Sequence, residues 1–437
     1  MRQDGLEEMI DRGVKTLLAV AEVVPRRENL DRELGEADAA EARGYYLPDE
    51  DERLREVFAR YLQVRASIRE VVAAAEPWVD RGHELDVRVR LRIFTVGFTA
   101  ACLLIRTGSF LMRVVDGRSV LRQKLDEAEP RYGIPRKSLY EVYRLQSSVP
   151  RMWKFHQAWR FYDEYRGRIS ELAGDELVGE ILTILEEEKP FMETSLRGHV
   201  LRRYRYRLYS WMRRNKSGFE NTMFQLFEIG GRTISELRDP TTGLAAQPKR
   251  VPGAPLEAIA SYLQPGDIIV TRHQDALTNL FLPGFWPHAA LYVGKQAEGG
   301  SIVEAKKDGV RLRDLEETLA VDAFLVLRAK GASEVDFQEV VKRALSHVGK
   351  LYDFVFDFRQ ADRLACTEVV YRSWHGVAGM KFRLGETAGR FCLPAEELIS
   401  QVLESGIFEL TAFFGPGCRE VSFGETANKR YLASREG

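Results

Sequence analysis

The chain has 437 residues, 45% of them apolar and 30% charged, a balance that excludes a mainly disordered chain and sets a prior of two or three domains. Lysine and arginine number 64 against 65 aspartates and glutamates, a formal charge of −1, so no global field argues for nucleic acid. Residues 1–238 hold 41 basic against 39 acidic side chains and the rest 23 against 26, so an electrostatic partner must be read from local patches. Cys102, Cys366, Cys392 and Cys418 are too few and too scattered for a disulfide framework, and no CxxC pair suggests zinc.

The N-terminal MRQDGLEEMIDRG lacks the apolar core of a signal peptide. Residues 1–238 read as helix after helix. Pro48 precedes the acidic run Asp49 to Glu52, which suits the positive end of a helix dipole. Leu54, Phe58, Tyr61, Ile68 and Val72 then recur at helical spacing to about residue 75. A second long helix is expected from near Leu85 to Val115. It contains the longest apolar run, the 13 residues Ile93 to Ile105. A bilayer span needs about 20, and Arg92 and Arg106 stand at its edges, so this reads as a buried helix and the compartment as cytoplasmic. Shorter helices follow, at about 151–172, 175–188 and 190–214. This half reads as a helical bundle without a chemical motif. Within it, Arg202 to Lys216 (RRYRYRLYSWMRRNK) has seven basic and no acidic residues, interleaved with aromatics. It reads first as an amphipathic bundle helix. The alternative is contact with an anionic membrane surface; no specific nucleic-acid partner is expected.

Residues 239–255 (DPTTGLAAQPKRVPGAP) carry four prolines and two glycines and read as a linker unable to hold a helix. From 256 to 437 the texture is mixed. DIIVT (267–271), AALYV (289–293), SIVEA (301–305), GVRL (309–312) and AFLVL (323–327) are short runs rich in β-branched residues, which read as strands. Helical patterns follow at 336–347, 366–374 and 394–404. Strands first and helices after argue for an α+β domain.

No Walker loop, GxSxG, HExxH or GxGxxG is present. Three residues stand in suggestive contexts. Cys366 opens a helix, where backbone N–H groups and the dipole favour a thiolate. His288 directly precedes an apolar strand and is placed to act as a base. Glu304, on the next strand, is placed to orient the imidazole. Taken singly, each reads more simply as structural; the case rests on all three falling in one α+β region. His273, His347 and His375 show no ligand spacing, and the other cysteines read as small apolar residues.

The strings QPGDIIVTRH, PHAALYVGK, IVEAKKDGVRL, KLYDFVFDF and ACTEVVYRSW, in that order over about 256–405, resemble the YiiX/YebB-like branch of the NlpC/P60 superfamily, circularly permuted papain-like cysteine hydrolases. The resemblance implies a permuted papain-like fold with Cys366 as nucleophile, His288 as general base and Glu304 as orienting group, and no metal or organic cofactor. It also implies that Gly266 and Asp267 open the first barrel strand, and that Tyr352 and Asp353 belong to the approach to the Cys helix. Two departures stand out. Trp286 and Pro287 precede the His where a small hydroxyl residue is common, and Thr367–Glu368 follows the Cys where Ser–Glu is commoner. Phe285 and Trp286 either wall the cleft, favouring apolar substrates, or cap the core. The implied activity is cleavage of an amide or ester through a Cys thioester, on a small-molecule, peptide or lipid substrate. The alternatives are a lipid-directed acyltransferase or lipase on the same triad, and a non-catalytic binding module.

Overall fold

In the computed structural model, the described residues are 3–24, 30–80, 85–197, 251, 253–272, 286–297, 299–387, 390–415 and 418–435. The chain divides into two compact units, Met1–Ser217 and Gly218–Gly437. The divide expected at 238, most of the linker, and the basic-aromatic segment 202–216 lie outside the described residues.

The first unit is helical: α1 (Gln3–Val23), α2 (Leu30–Arg43), α3 (Pro48–Asp80), α4 (Val87–Val114), α5 (Ser119–Leu125), α6 (Ser138–Gln146), α7 (Val149–Glu164), α8 (Arg166–Ser170) and α9 (Gly179–Arg197). Helix α4 contains the 13-residue apolar run. It is long and apolar enough to cross a membrane by composition alone. Here Ile93, Val96, Phe98, Ala100 and Leu103 are buried in one cluster with Ile10, Leu17, Ile68 and Ile181. The run packs against other helices, as its flanking arginines suggest. A second feature of this unit is a buried charge cluster. Arg55 meets Asp51 at 3.2 Å, Glu127 at 2.5 Å and Glu129 at 3.2 Å, and Lys124 meets Asp51 at 3.2 Å. Buried charges require such pairing.

The second unit opens with α10 (Gly253–Tyr262). This helix starts inside the Pro-rich stretch read as linker. Pro255 falls in its first turn, where the missing N–H has no intrahelical partner to lose. The sheet strands are β1 (Ile268–Arg272), β2 (His288–Tyr292), β3 (Ile302–Lys306), β4 (Gly309–Arg313) and β5 (Ala323–Ala329). A short helix α11 (Leu315–Thr318) that the sequence reading did not anticipate comes first, and α12 (Glu334–Ser346), α13 (Cys366–Trp374) and α14 (Ala395–Glu404) follow the sequence pattern closely. The short strands β6 (Leu351–Tyr352) and β7 (Arg363–Leu364) pair in parallel, and β8 (Gly385–Thr387) pairs with β9 (Arg390–Cys392). Strands β10 (Phe408–Phe414) and β11 (Ser422–Phe423), then α15 (Gly424–Arg435), complete the unit. All neighbours in the main sheet are antiparallel, in the order β11-β10-β5-β1-β2-β3-β4.

Period-two alternation divides the sheet's side chains between two cores. Ile268, Val270, Ala289, Leu291, Val303, Leu325 and Leu327 lie in one with Val369, Val370 and Trp374 of α13. Ile269, Ala290, Ile302, Phe324, Val326 and Phe414 lie in the other with Ile259 of α10. Burial on both faces explains why these strands read as continuous apolar runs. Gly266 locks α13 to the sheet: its carbonyl accepts from Trp374 Nε1 at 3.1 Å. Its φ is +95°, and a Cβ there would come 2.7 Å from the Phe337 ring, so the site needs glycine.

These two cores lie within the second unit, so residues 251–437 are predicted to fold without the helical half. A fragment beginning a few residues before Val251 should melt cooperatively. Solubility only on co-expression with residues 1–238 would show that the halves share a core.

Candidate active site

His288 is the first residue of β2 and Glu304 lies inside β3. The β2–β3 register pairs Leu291 with Val303 and Tyr292 with Ile302. Continued past those pairs, it brings His288 level with Lys306 and sets Glu304 one diagonal step away on the same face. There His288 Nε2 and Glu304 Oε2 are 2.8 Å apart. Glu304 is wholly buried. Its other oxygen, Oε1, accepts from Thr318 Oγ1 of α11 at 3.1 Å and lies 2.6 Å from Lys306 Nζ. Arg313 Nε stands 3.1 Å from the same oxygen, a charge contact without an aligned hydrogen bond.

Cys366 is the first residue of α13, and its Sγ lies 3.9 Å from the carbonyl of Pro287, which puts it at the end of β2 beside His288. The imidazole hydrogen-bonds the sulfur. With Nε2 taken by Glu304, Nδ1 is the nitrogen left to face it. The backbone N–H groups of Ala289 and Thr367 also donate to the sulfur. Two consecutive strands and a later helix thus bring together the three residues singled out beforehand.

The electrostatics follow from this geometry. Burial raises the Cys366 pKa, but the charge and hydrogen bond of His288, with the two N–H groups, outweigh it and hold the thiol below its usual range. Burial alone would depress His288; the Cys366 thiolate and the Glu304 carboxylate reverse that and raise it to about 9. Burial pushes Glu304 up, yet His288 and then Lys306 hold it at about 2. These directions favour a thiolate–imidazolium pair backed by a carboxylate.

Tyr352 and Asp353 do form the approach to the Cys helix. Tyr352 pairs with Leu364, two residues before Cys366. Burial, then the Cys366 charge, pushes its phenol well up. Asp353 accepts from the backbone N–H groups of Val355 and Asp357 at 2.9 and 2.7 Å. Burial raises its carboxyl to about 6.

Trp286 belongs to the core: it is fully buried and meets Phe413 edge-on at 6.1 Å. Of the two readings given for it, capping the core is the one the structure shows, while Phe285 and His273 lie outside the described residues. His375 is structural, its Nδ1 accepting from the N–H of Phe382 at 3.2 Å. Cys102 is fully buried. Among the described residues no group of three or more His, Cys, Asp or Glu side chains is placed to hold a metal ion.

Sequence reasoning missed Thr318, Lys306 and Arg313 around Glu304. It also missed the role of Glu368 in ACTEVVYRSW. Glu368 accepts from the N–H of Ala365, the residue before the helix, at 3.4 Å. It pairs with Arg372 at 2.8 Å, and Arg372 also donates to the carbonyls of Phe358 and Gln360 at 3.2 and 2.9 Å. The signal was present: an acid at the third helical position with an arginine four residues on.

Residues 262–405 match the family described as permuted papain-like amidase enzyme, YaeF/YiiX, C92 family. Over that stretch the fold is of the α+β, permuted papain-like class, and the kind of protein is a cysteine hydrolase of amidase type. A crystal structure titled metalloprotein yiiX, from Escherichia coli O157:H7, is 22% identical; the match covers 37% of this chain and 96% of that one, with a TM-score of 0.25. No curated protein matches.

Two predictions follow from the site's charges. Limiting iodoacetamide near pH 6.5 should modify Cys366 ahead of Cys102, whose thiol burial pushes well up, and ahead of half-buried Cys392 and Cys418. Peptide mapping decides, and preferential labelling of another cysteine would count against a Cys366 thiolate. Arg372→Met should destabilise the protein by about 3 kcal/mol, because it strips the guanidinium from a buried carboxylate; denaturant melts check this. A loss under 1 kcal/mol, on the order of a surface pair, would mean that Glu368 is otherwise satisfied.

Proposed function

We propose that the second unit hydrolyses an amide bond through a thioester on Cys366. The observation that carries this reading is the contact of His288 with the Glu304 carboxylate on one side and the Cys366 sulfur on the other, at a helix start. The thiolate attacks the carbonyl carbon. The Cys366 backbone N–H, in the first helical turn and free of any intrahelical partner, donates to the developing oxyanion. As the C–N bond breaks, imidazolium His288 gives its proton to the leaving amine, so the acyl enzyme carries a neutral imidazole. That imidazole then takes a proton from water while the oxygen attacks the thioester. The C–S bond breaks, the acid leaves, and the thiolate–imidazolium pair returns. Glu304 holds the ring and balances its positive charge throughout. Apart from the substrate and one water, every group used in these steps is a side chain or backbone amide of this chain. The substrate is identified only as a carbonyl with an amine leaving group.

A panel of peptide amides and acyl-lipid esters, each run against Cys366→Ala, tests the reading. Turnover of amides that the variant abolishes supports it. Turnover confined to acyl lipids would favour lipid-directed acyl transfer on the same residues, and none from either class would favour a binding module. On an active substrate, His288→Ala should come close to abolishing turnover. Glu304→Gln should leave a measurable remainder, since the amide keeps a hydrogen bond but loses the charge. Raising the pH deprotonates His288, so kcat/KM should fall along an alkaline limb near the imidazolium pKa of about 9. Wild-type kcat/KM in Glu304→Gln would remove that residue from the machinery.

A further inference from the structure

We propose that Lys306 is a positioning residue for this site: its ammonium keeps Glu304 ionised and aimed at His288, and so sustains the thiolate of Cys366. The inference rests on the reading of these three residues as a triad. It starts from a problem of burial. Glu304 is fully enclosed, and a buried carboxylate is costly unless countercharges and hydrogen bonds surround it. One oxygen is committed to His288, whose charge changes during the proposed reaction. A fixed cation is needed on the other.

Two candidates stand there. Arg313 is divided among three carboxylates, at 3.1 Å from Glu304, 2.5 Å from Asp308 and 2.6 Å from Glu317, and its contact with Glu304 is not an aligned bond. Lys306 Nζ is closer, at 2.6 Å. Its position is fixed by chain geometry, because residues two apart on a strand share a face. Its side chain is 35% exposed, so its ammonium escapes the full desolvation that Glu304 bears. Lys306 therefore supplies most of the compensation on Oε1, with Thr318 fixing the direction of that oxygen.

The consequence for pH behaviour has a definite sign. The groups facing Glu304 are His288 from β2, Lys306 from its own strand, Arg313 from β4 and the neutral hydroxyl of Thr318 from α11. His288 in turn faces Cys366, whose charge also acts on Tyr352, and Asp353 is the next residue along the chain. Removing the Lys306 charge makes the surroundings more negative and loosens the carboxylate behind the imidazolium. Both changes disfavour a thiolate, so the Cys366 titration must move to higher pH.

The test needs no substrate. The rate of Cys366 alkylation by iodoacetamide, followed by mass spectrometry in the full-length protein between about pH 4.5 and 10, reads the thiolate fraction directly. In Lys306→Met the inflection should rise by about half a unit or more, which makes alkylation about threefold slower on the acid side. Lys306→Arg should restore the wild-type curve. Lys306→Gln gives a second reading should Lys306→Met not melt cooperatively. A merely structural lysine would change the melt and leave the inflection in place. Superimposed wild-type, Met and Gln curves would overturn the role of Lys306 while leaving the triad standing. So would an equal shift in the Arg variant, because charge would then not be the cause. A wild-type inflection at the ordinary thiol value of about 8.5 would instead overturn the triad reading, and the inference with it.

Discussion

The second unit is organised around a single costly act, the burial of the Glu304 carboxylate. A charge with no exposure has to be balanced where it lies. The balance is drawn from His288 on β2, Lys306 on β3, Arg313 on β4 and Thr318 on α11. These contacts tie together the hairpin strands, the neighbouring strand and the short helix after it. The imidazole that completes the shell is thereby held in one orientation, and its second nitrogen is delivered to the sulfur. The need to satisfy one buried acid and the orientation of one imidazole are met by the same contacts.

The sulfur is positioned by a separate set of constraints. Helix α13 is fastened at three places: Trp374 to the Gly266 carbonyl, Arg372 to the carbonyls of Phe358 and Gln360, and Glu368 to the N–H of Ala365. The first fixes the far end of the helix against the sheet, and the second ties its last turn to the segment 358–360 that leads towards it. The third fixes its start, where the first-turn N–H groups and the dipole act on Cys366. The Glu368–Arg372 pair is wholly interior. Such pairs add little net stability over apolar substitutes, so its value here lies in fixing where the helix begins.

What the sequence made legible follows the strength of its periodic and local signals. Cys366–Trp374 was read with the bounds observed, because a strong apolar face and a clear first turn coincide there. Strands β1 to β5 were legible as runs of β-branched residues, although burial on both faces removed the alternation that usually marks a strand. Strand β10, FELTAFF, pairs with β5 and went unread: it has a single β-branched residue and follows a helix, so local composition did not separate it from a coil. The three site residues were legible through their order and surroundings. Lys306 and Arg313 were not, because charged residues on a strand ordinarily face water. Only the enclosure of Glu304, a tertiary fact, reverses that expectation. Trp286 failed for the complementary reason: an indole beside a candidate base suits a cleft wall as well as a core, and only packing against Phe413 decides.

The helical unit supplies a comparison that sharpens what makes the Cys366 site chemical. Its interior also buries ions, with Arg55, Lys124, Asp51, Glu127 and Glu129 in mutual contact and Arg131 reaching Glu129 from the edge. Its members pair cations with carboxylates and include neither a thiol nor an imidazole. Such a cluster holds helices together. At Cys366 the same burial and pairing act on a thiol and an imidazole, whose ordinary pKa values lie about two units apart and bracket neutral pH. Modest shifts then suffice to move the proton from sulfur to nitrogen. The carboxylate that stabilises this transfer is itself too far below neutrality to compete for the proton. Equal care in satisfying buried charge yields a structural brace in one unit and, on the proposed reading of Cys366, a poised nucleophile in the other, and the difference lies in which residue types were placed inside.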